Sequence, residues 1–240
     1  MLENWIKPQI PEEEELDERL HAARSKLSVL QMQIKEHGLP VLVLFEGWGT
    51  AGKGSVLGKV IKNIDPRFFK VATMDEPTEE ERRKPFLYRY FVKIPANGKL
   101  EFLDSGWMDE VVKDVLNDKI GEKEYKKKIE SVKRFERQLT DNGYLVMKFF
   151  FQISRKEQKK RIEVLKENKD TRWRVSGDED WQNKHYDKCL HVFDRYLNDT
   201  NSPADPWYIV DAKNRKWAEL QVLETLVSGC LLYTSPSPRD

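Results

Sequence analysis

The chain has 240 residues, of which 39% are hydrophobic and 35% charged, and its formal net charge is +1. That length predicts one α/β domain able to bury roughly 70% of the surface its unfolded chain would expose, and no run of about 20 apolar residues predicts a membrane span. Two cysteines and four histidines, with no C-x-x-C pair, exclude a disulfide framework and a structural zinc site, so any metal is expected to be oxygen-ligated.

The opening MLENWIKPQIPEEEE has neither the basic patch nor the apolar stretch of a secretory signal, which reads as cytoplasmic. Leu16, Leu20, Ala23, Leu27, Leu30 and Ile34 recur at spacings of three and four, predicting a helix over residues 12–37 that ends at Gly38 and Pro40 and packs on the main domain. "LPVLVLFEG" reads as a buried strand, and "GKGSVLGKVIKNID" as the helix that follows it. Further strands are predicted at 69–74, 100–104, 144–151 and 207–211, with a long charged helix ending near Asn142 and a closing helix over 217–227. Strands alternating with helices imply a mostly parallel sheet flanked by helices on both faces, a three-layer α/β fold.

The stretch "NKDTRWRVSGDEDW" breaks the alternation before a helix that carries Tyr186, Cys189, Phe193 and Tyr196 on one face, which predicts a helical lid over about 168–200. The runs at 12–15 and 79–81 are acidic, and those at 126–128 and 156–161 are basic; both kinds read as solvated helix faces. The last ten residues, "LLYTSPSPRD", have two Ser-Pro steps and no helical periodicity, so the closing helix is not expected to continue into them. The division predicted is an N-terminal helical extension (1–38), a main domain (39–229) and a non-native or truncated tail (230–240).

"GWGTAGKGS" carries the chemistry. Gly47 and Gly52 bracket four residues before Lys53, between a strand and a helix, which is the context of a phosphate-binding loop. Glycines let backbone N–H groups converge on phosphate oxygens, the helix N-terminus adds positive potential and Lys53 adds a mobile charge. Gly47, Gly49, Ala51, Gly52, Lys53, Gly54 and Ser55 are the candidate phosphate-binding positions, yet Gly54 stands where a standard loop has a Ser or Thr for Mg²⁺. Asp104, closing the run "KLEFLD", is the candidate Mg²⁺ ligand; a lone aspartate there also suits a cap or turn, and its pairing with the loop favours the metal. Arg89, Arg172 and Arg174 suit either a phosphate clamp or a solvated surface, while Arg82 and Arg83 read as solvated. Trp107, Trp173, Trp181 and Trp207 read as packing anchors rather than base-stacking platforms.

Taken together, "FEGWGTAGKG", "NIDPRFFKV", "EPTEEE" through "YRYFVKIPANGKLEFLD", "SGWM", "FERQLTDNGYLVMKFFFQIS", "TRWRVSGDEDW" and "PWYIVDAKNRKWAELQVLETL" resemble the second polyphosphate kinase family. The resemblance implies a P-loop kinase-like fold that uses Mg²⁺ to move a phosphoryl group between inorganic polyphosphate and AMP or ADP. It further implies catalytic roles for Lys53, Asp104, Arg89 and Arg174, a phosphate contact from Arg172, and a homo-oligomer or a second homologous domain as partner. Neither nucleic acid nor membrane is an expected partner. The family loop reads G-x-D-x-A-G-K-G, so Gly54 is ordinary, whereas Gly49 stands in place of an aspartate and Ser105 in place of an arginine. Both departures argue against full activity and leave open a degenerate domain with a structural, binding or regulatory role. An ordinary ATP-dependent small-molecule kinase is the third reading.

Overall fold

The six apolar residues spaced along the first helix are all buried on one face of α1 (Glu13–Glu36) in the computed structural model, which describes residues 1–234. Strand β1 (Val41–Gly47) follows, then α2 (Lys53–Ile61), β2 (Phe69–Thr73), and the short helices α3 (Glu79–Arg82) and α4 (Tyr88–Phe91). Next come β3 (Leu100–Asp104), α5 (Trp107–Leu116), α6 (Glu122–Asp141), β4 (Leu145–Gln152) and α7 (Arg155–Glu167). A 3₁₀ turn (Arg172–Arg174), α8 (Gly177–Lys184), α9 (Tyr186–Thr200), β5 (Trp207–Asp211) and α10 (Arg215–Thr234) complete the described chain.

The five strands form a wholly parallel sheet in the order β2-β3-β1-β4-β5. Strand alternation divides the core into its two faces. Val41, Val43 and Phe45 of β1 pack with Val56, Leu57 and Val60 of α2, whereas Leu42 and Leu44 pack with Trp107 of α5 and Val132 and Phe135 of α6. The helices that leave the neighbouring strands β1 and β3 therefore cover opposite faces of the sheet. A crevice opens between their first turns, the place where open parallel sheets bind ligands. Helix α10 lies on the α2 face, with α1 packed against it. Arg24 of α1 pairs with the buried Glu219 of α10 at 2.6 Å.

Two parts of the fold differ from expectation. Helix α9 is built into the layer of α5 and α6, its buried Tyr186, Cys189, Phe193 and Tyr196 facing the core, whereas α8 buries no residue and packs on α7 and on the loop after β1. Helix α10 continues to Thr234, because Cys230 and Thr234 keep its buried face going past Val227 despite the loss of polar periodicity. Residues 235–240, with the Ser-Pro steps, lie outside the described residues.

Candidate active site

The loop after β1 is shaped by its glycines. Gly47 has φ +125°, and a Cβ there would lie 2.5 Å from the Phe151 carbonyl oxygen, so the loop leaves the sheet along a path that only glycine allows. Gly52 precedes α2 with φ +95°, and Thr50 is also left-handed at φ +59°. Lys53 opens α2 and turns its Nζ back over the loop, 3.4 Å from the carbonyl oxygens of Gly47 and Trp48. Ser55 is exposed in the same first turn, and Ala51 of the loop is buried.

Across the crevice, Asp104 ends β3 beside the loop. A Cβ on Gly54 would lie 3.4 Å from Asp104 Oδ2, so the carboxylate occupies the ground in front of the residue after the lysine. That is where the hydroxyl of a standard loop would reach for a metal, and here a carboxylate oxygen of β3 stands in that place. No group of three or more His, Cys, Asp or Glu side chains able to cage a metal occurs among the described residues. The donor set fits Mg²⁺, which binds through one or two carboxylates together with phosphate oxygens and waters.

Two residues that the sequence did not single out hold this arrangement. Glu46, next to last in β1, is buried and accepts the Gly106 amide at 2.8 Å. Helix α5 has no side-chain cap of its own, so this carboxylate serves its N-terminus from another strand. Burial pushes Glu46 up to about 8, Asp109 adding to the rise and Lys53 opposing it. A charged residue closing the apolar run "VLVLF" was the available signal. Arg161 of α7 donates to the carbonyls of Ala51 at 2.8 Å and Thr50 at 3.3 Å, and to those of Ala212 at 2.8 Å and Lys213 at 2.9 Å. It ties the loop to the end of β5, although its basic run reads in sequence as solvated.

A cavity of about 1050 Å³ opens beside the turn after Asp104, bounded by α4, α5 and α8. Arg89 is buried in its wall, donates through Nη2 to the Asp75 carbonyl, and leaves Nε without a hydrogen-bond partner among the described residues. Six acidic side chains against four basic ones line the cavity, so its walls are net negative apart from the Arg89 and Arg82 side. Arg82 and Arg83 are both exposed, as their reading as solvated residues has it; Arg82 also borders the cavity, and Arg83 pairs with Glu79.

Arg172 and Arg174 are exposed on the 3₁₀ turn, and neither lines the cavity; Arg174 instead stacks on the exposed Trp173. The structure thus brings Lys53, Asp104 and Arg89 to one end of the sheet and leaves these two arginines outside. Trp107 and Trp207 are buried anchors, each with its ring N–H satisfied, by Glu136 at 2.9 Å and Thr200 at 3.0 Å. Trp173 and Trp181 are not anchors: Trp173 is 74% exposed, and Trp181, at 37%, faces the cavity from α8. Their segment touches the domain through polar contacts, which sequence patterning does not report.

A family model described as polyphosphate kinase 2 (PPK2) matches residues 11–234. The polyphosphate:AMP phosphotransferase of Pseudomonas syringae pv. tomato is 29% identical over 216 residues, which cover 89% of this chain and 43% of that protein. The ADP-polyphosphate phosphotransferase 3 of Rhizobium meliloti is 25% identical over 206 residues, covering 86% of this chain and 72% of that one. The crystal structure of polyphosphate kinase 2 from Arthrobacter aurescens TC1 superposes with a TM-score of 0.86 at 23% identity, over 92% of this chain and 81% of the other, a likeness of fold. The chain therefore spans less than half the length of the Pseudomonas phosphotransferase. Among the described residues, no helix is long and apolar enough to cross a membrane.

Proposed function

Since the chain belongs to the polyphosphate kinase 2 (PPK2) family, we propose that it is a phosphotransferase domain that moves a phosphoryl group between inorganic polyphosphate and AMP or ADP. The observation that carries this reading is the meeting of the Lys53 loop with Asp104 across the crevice between β1 and β3. The loop amides and Lys53 bind phosphate, and Asp104 is the residue that would hold Mg²⁺. Bound there, the ion would neutralise charge on the transferring group.

A terminal phosphate oxygen of the nucleotide attacks the end phosphorus of polyphosphate, the bridging P–O bond breaks, and the shortened chain leaves. No protein nucleophile is needed, so the domain contributes position and charge. Arg89, with its free Nε in the cavity wall, binds the acceptor phosphate. The acidic remainder of the wall suits sugar hydroxyls and a base amino group better than a second polyanion. Arg172 and Arg174 join the phosphates only if the lid segment turns inward.

The second reading is a domain that binds polyphosphate and supports a competent partner, either another copy or a second homologous domain. It is favoured by Gly49 and Ser105, which bring neither carboxylate nor guanidinium to the loop. Product analysis with polyphosphate, Mg²⁺ and AMP or ADP separates the two. Transfer that requires Mg²⁺ and falls about 10²-fold in Asp104→Asn supports the enzyme. A folded, polyphosphate-binding chain that forms no product is the supporting domain.

A further inference from the structure

Helix α8 is docked on the phosphate loop through a small polar cluster. The Gly49 amide donates to Gln182 Oε1 at 2.8 Å. Gln158 Nε2 donates to the same oxygen at 2.6 Å and to the Gly49 carbonyl at 3.3 Å, and Asn183 Nδ2 donates to Gln158 Oε1 at 3.0 Å. Gln158, on α7, is fully buried by this arrangement. Both of its polar ends are satisfied, as a buried carboxamide requires.

The neighbouring contact explains why position 49 is a glycine in this chain. Glu179 is fixed by the capping box of α8, its Oε2 accepting the Ser176 amide at 2.7 Å. A Cβ built on Gly49 would lie 2.6 Å from Glu179 Cγ and 3.2 Å from Gln182 Oε1. Any side chain at 49 must therefore break the capping box or lift α8. Just beyond the loop's first turn, Trp48 stacks on Tyr186 at the start of α9, ring centroids 4.0 Å apart and planes within 3°, which fixes the base from which α8 reaches over.

A loop of this kind offers its backbone N–H groups to phosphate oxygens. The Gly49 N–H cannot point at a phosphate oxygen and at the Gln182 carboxamide in the same place. We infer that Gln182 is an intramolecular competitor for the phosphate loop: α8 sits on the loop with a neutral amide oxygen where a phosphate oxygen would bind, and phosphate enters only when α8 lifts. The inference rests on the reading of the loop as a phosphate site and adds its regulation. Gly49 is then the residue that lets the latch close, and a carboxylate installed there has to displace α8 before it can serve a metal.

The test uses the whole chain with Gln182→Ala and Gln182→Glu, read by hydrogen exchange over residues 177–184 and by calorimetric titration with tripolyphosphate and Mg²⁺. Gln182→Ala is expected to speed exchange in α8 about tenfold, leave α10 unchanged, and tighten tripolyphosphate binding about fivefold, because more of the protein is already open. Gln182→Glu keeps an acceptor for the Gly49 amide and gives it a charge, so exchange in α8 slows and binding weakens. Tripolyphosphate added to the wild type speeds exchange in α8. If wild type and Gln182→Ala bind equally well, the phosphate site stands and the competition is overturned. If neither binds, the phosphate site falls and the competition with it. Unchanged exchange in α8 of Gln182→Ala overturns the latch whatever the titration shows.

Discussion

Glu46 at the end of β1 accepts the Gly106 amide at 2.8 Å, so the strand that launches the phosphate loop also holds the turn behind Asp104. Ser105 sits inside that turn at φ +67°, a conformation kept because both neighbours are tied down. Burial pushes Glu46 up to about 8, so the folded protein holds its proton more tightly than the unfolded chain does. Its stability contribution is complete below the ordinary glutamate range and is lost as pH rises through about 8. The melting temperature is expected to fall between pH 6 and pH 9, and Glu46→Gln, which keeps the acceptor oxygen, to flatten that fall. Part of what remains belongs to Glu136, Glu101 and Glu110, whose carboxyls burial also raises, in Glu136 against the opposing charge of Lys148. Thermal melts of both proteins across that range check this, and parallel curves would count against it.

Arg161 grips the loop and the end of β5 with one guanidinium, donating to four backbone carbonyls. Arg161→Ala leaves those oxygens half-buried without a donor and is expected to destabilise the fold by about 2–3 kcal/mol. Arg161→Lys recovers little, because a single ammonium does not span both strands' ends. Urea unfolding of the two variants distinguishes this from a solvated surface arginine, whose removal changes stability by less than about 0.5 kcal/mol.

Gly47, which opens the loop, and Gly54, which follows the lysine, differ in what they tolerate. Gly47→Ala puts a Cβ 2.5 Å from the Phe151 carbonyl oxygen at φ +125° and is expected to cost about 3 kcal/mol or more, or to prevent folding. Gly54→Ala lies within α2, where the new Cβ makes ordinary contact with Asp104 at 3.4 Å, and is expected to change stability by no more than about 1 kcal/mol. Denaturant midpoints of the pair decide the matter. Equal losses would mean that the loop is not held in this shape.

Lys148 is fully buried on β4 and donates to Glu136 at 2.9 Å, to the Thr200 carbonyl at 2.9 Å and to Asp205 at 3.3 Å. It staples α6 and the end of α9 to the sheet. Lys148→Met leaves the buried Glu136 and Asp205 side chains without their donor and is expected to cost about 3–5 kcal/mol, whereas replacing all three groups by apolar ones of similar volume costs much less. Unfolding free energies of the single and triple variants measure that difference.

The strands at β1, β3 and β5 were legible because buried parallel strands are continuous apolar runs, and α1 because its apolar spacing is unbroken. The phosphate loop was legible because its chemistry is local: glycines, lysine, strand and helix all fall within a dozen residues. Glu46, Arg161 and Gln182 were not, since each acts on a backbone group 60, 110 and 133 residues away in sequence. Charge alone could not separate Arg89, buried in the cavity wall, from Arg172 and Arg174, exposed on the 3₁₀ turn. Burial decides between them, and burial depends on the packing of α4 against α5 and α6.

Phosphoryl transfer at the Lys53 loop has a direct readout. The measurement is ³¹P NMR of the wild type and Lys53→Ala with polyphosphate, AMP and Mg²⁺, following the appearance of a nucleotide diphosphate signal and the loss of polyphosphate end groups. Product is expected from the wild type, with a loss of about 10²-fold or more in the variant. Equal rates in the two proteins would contradict transfer at this loop.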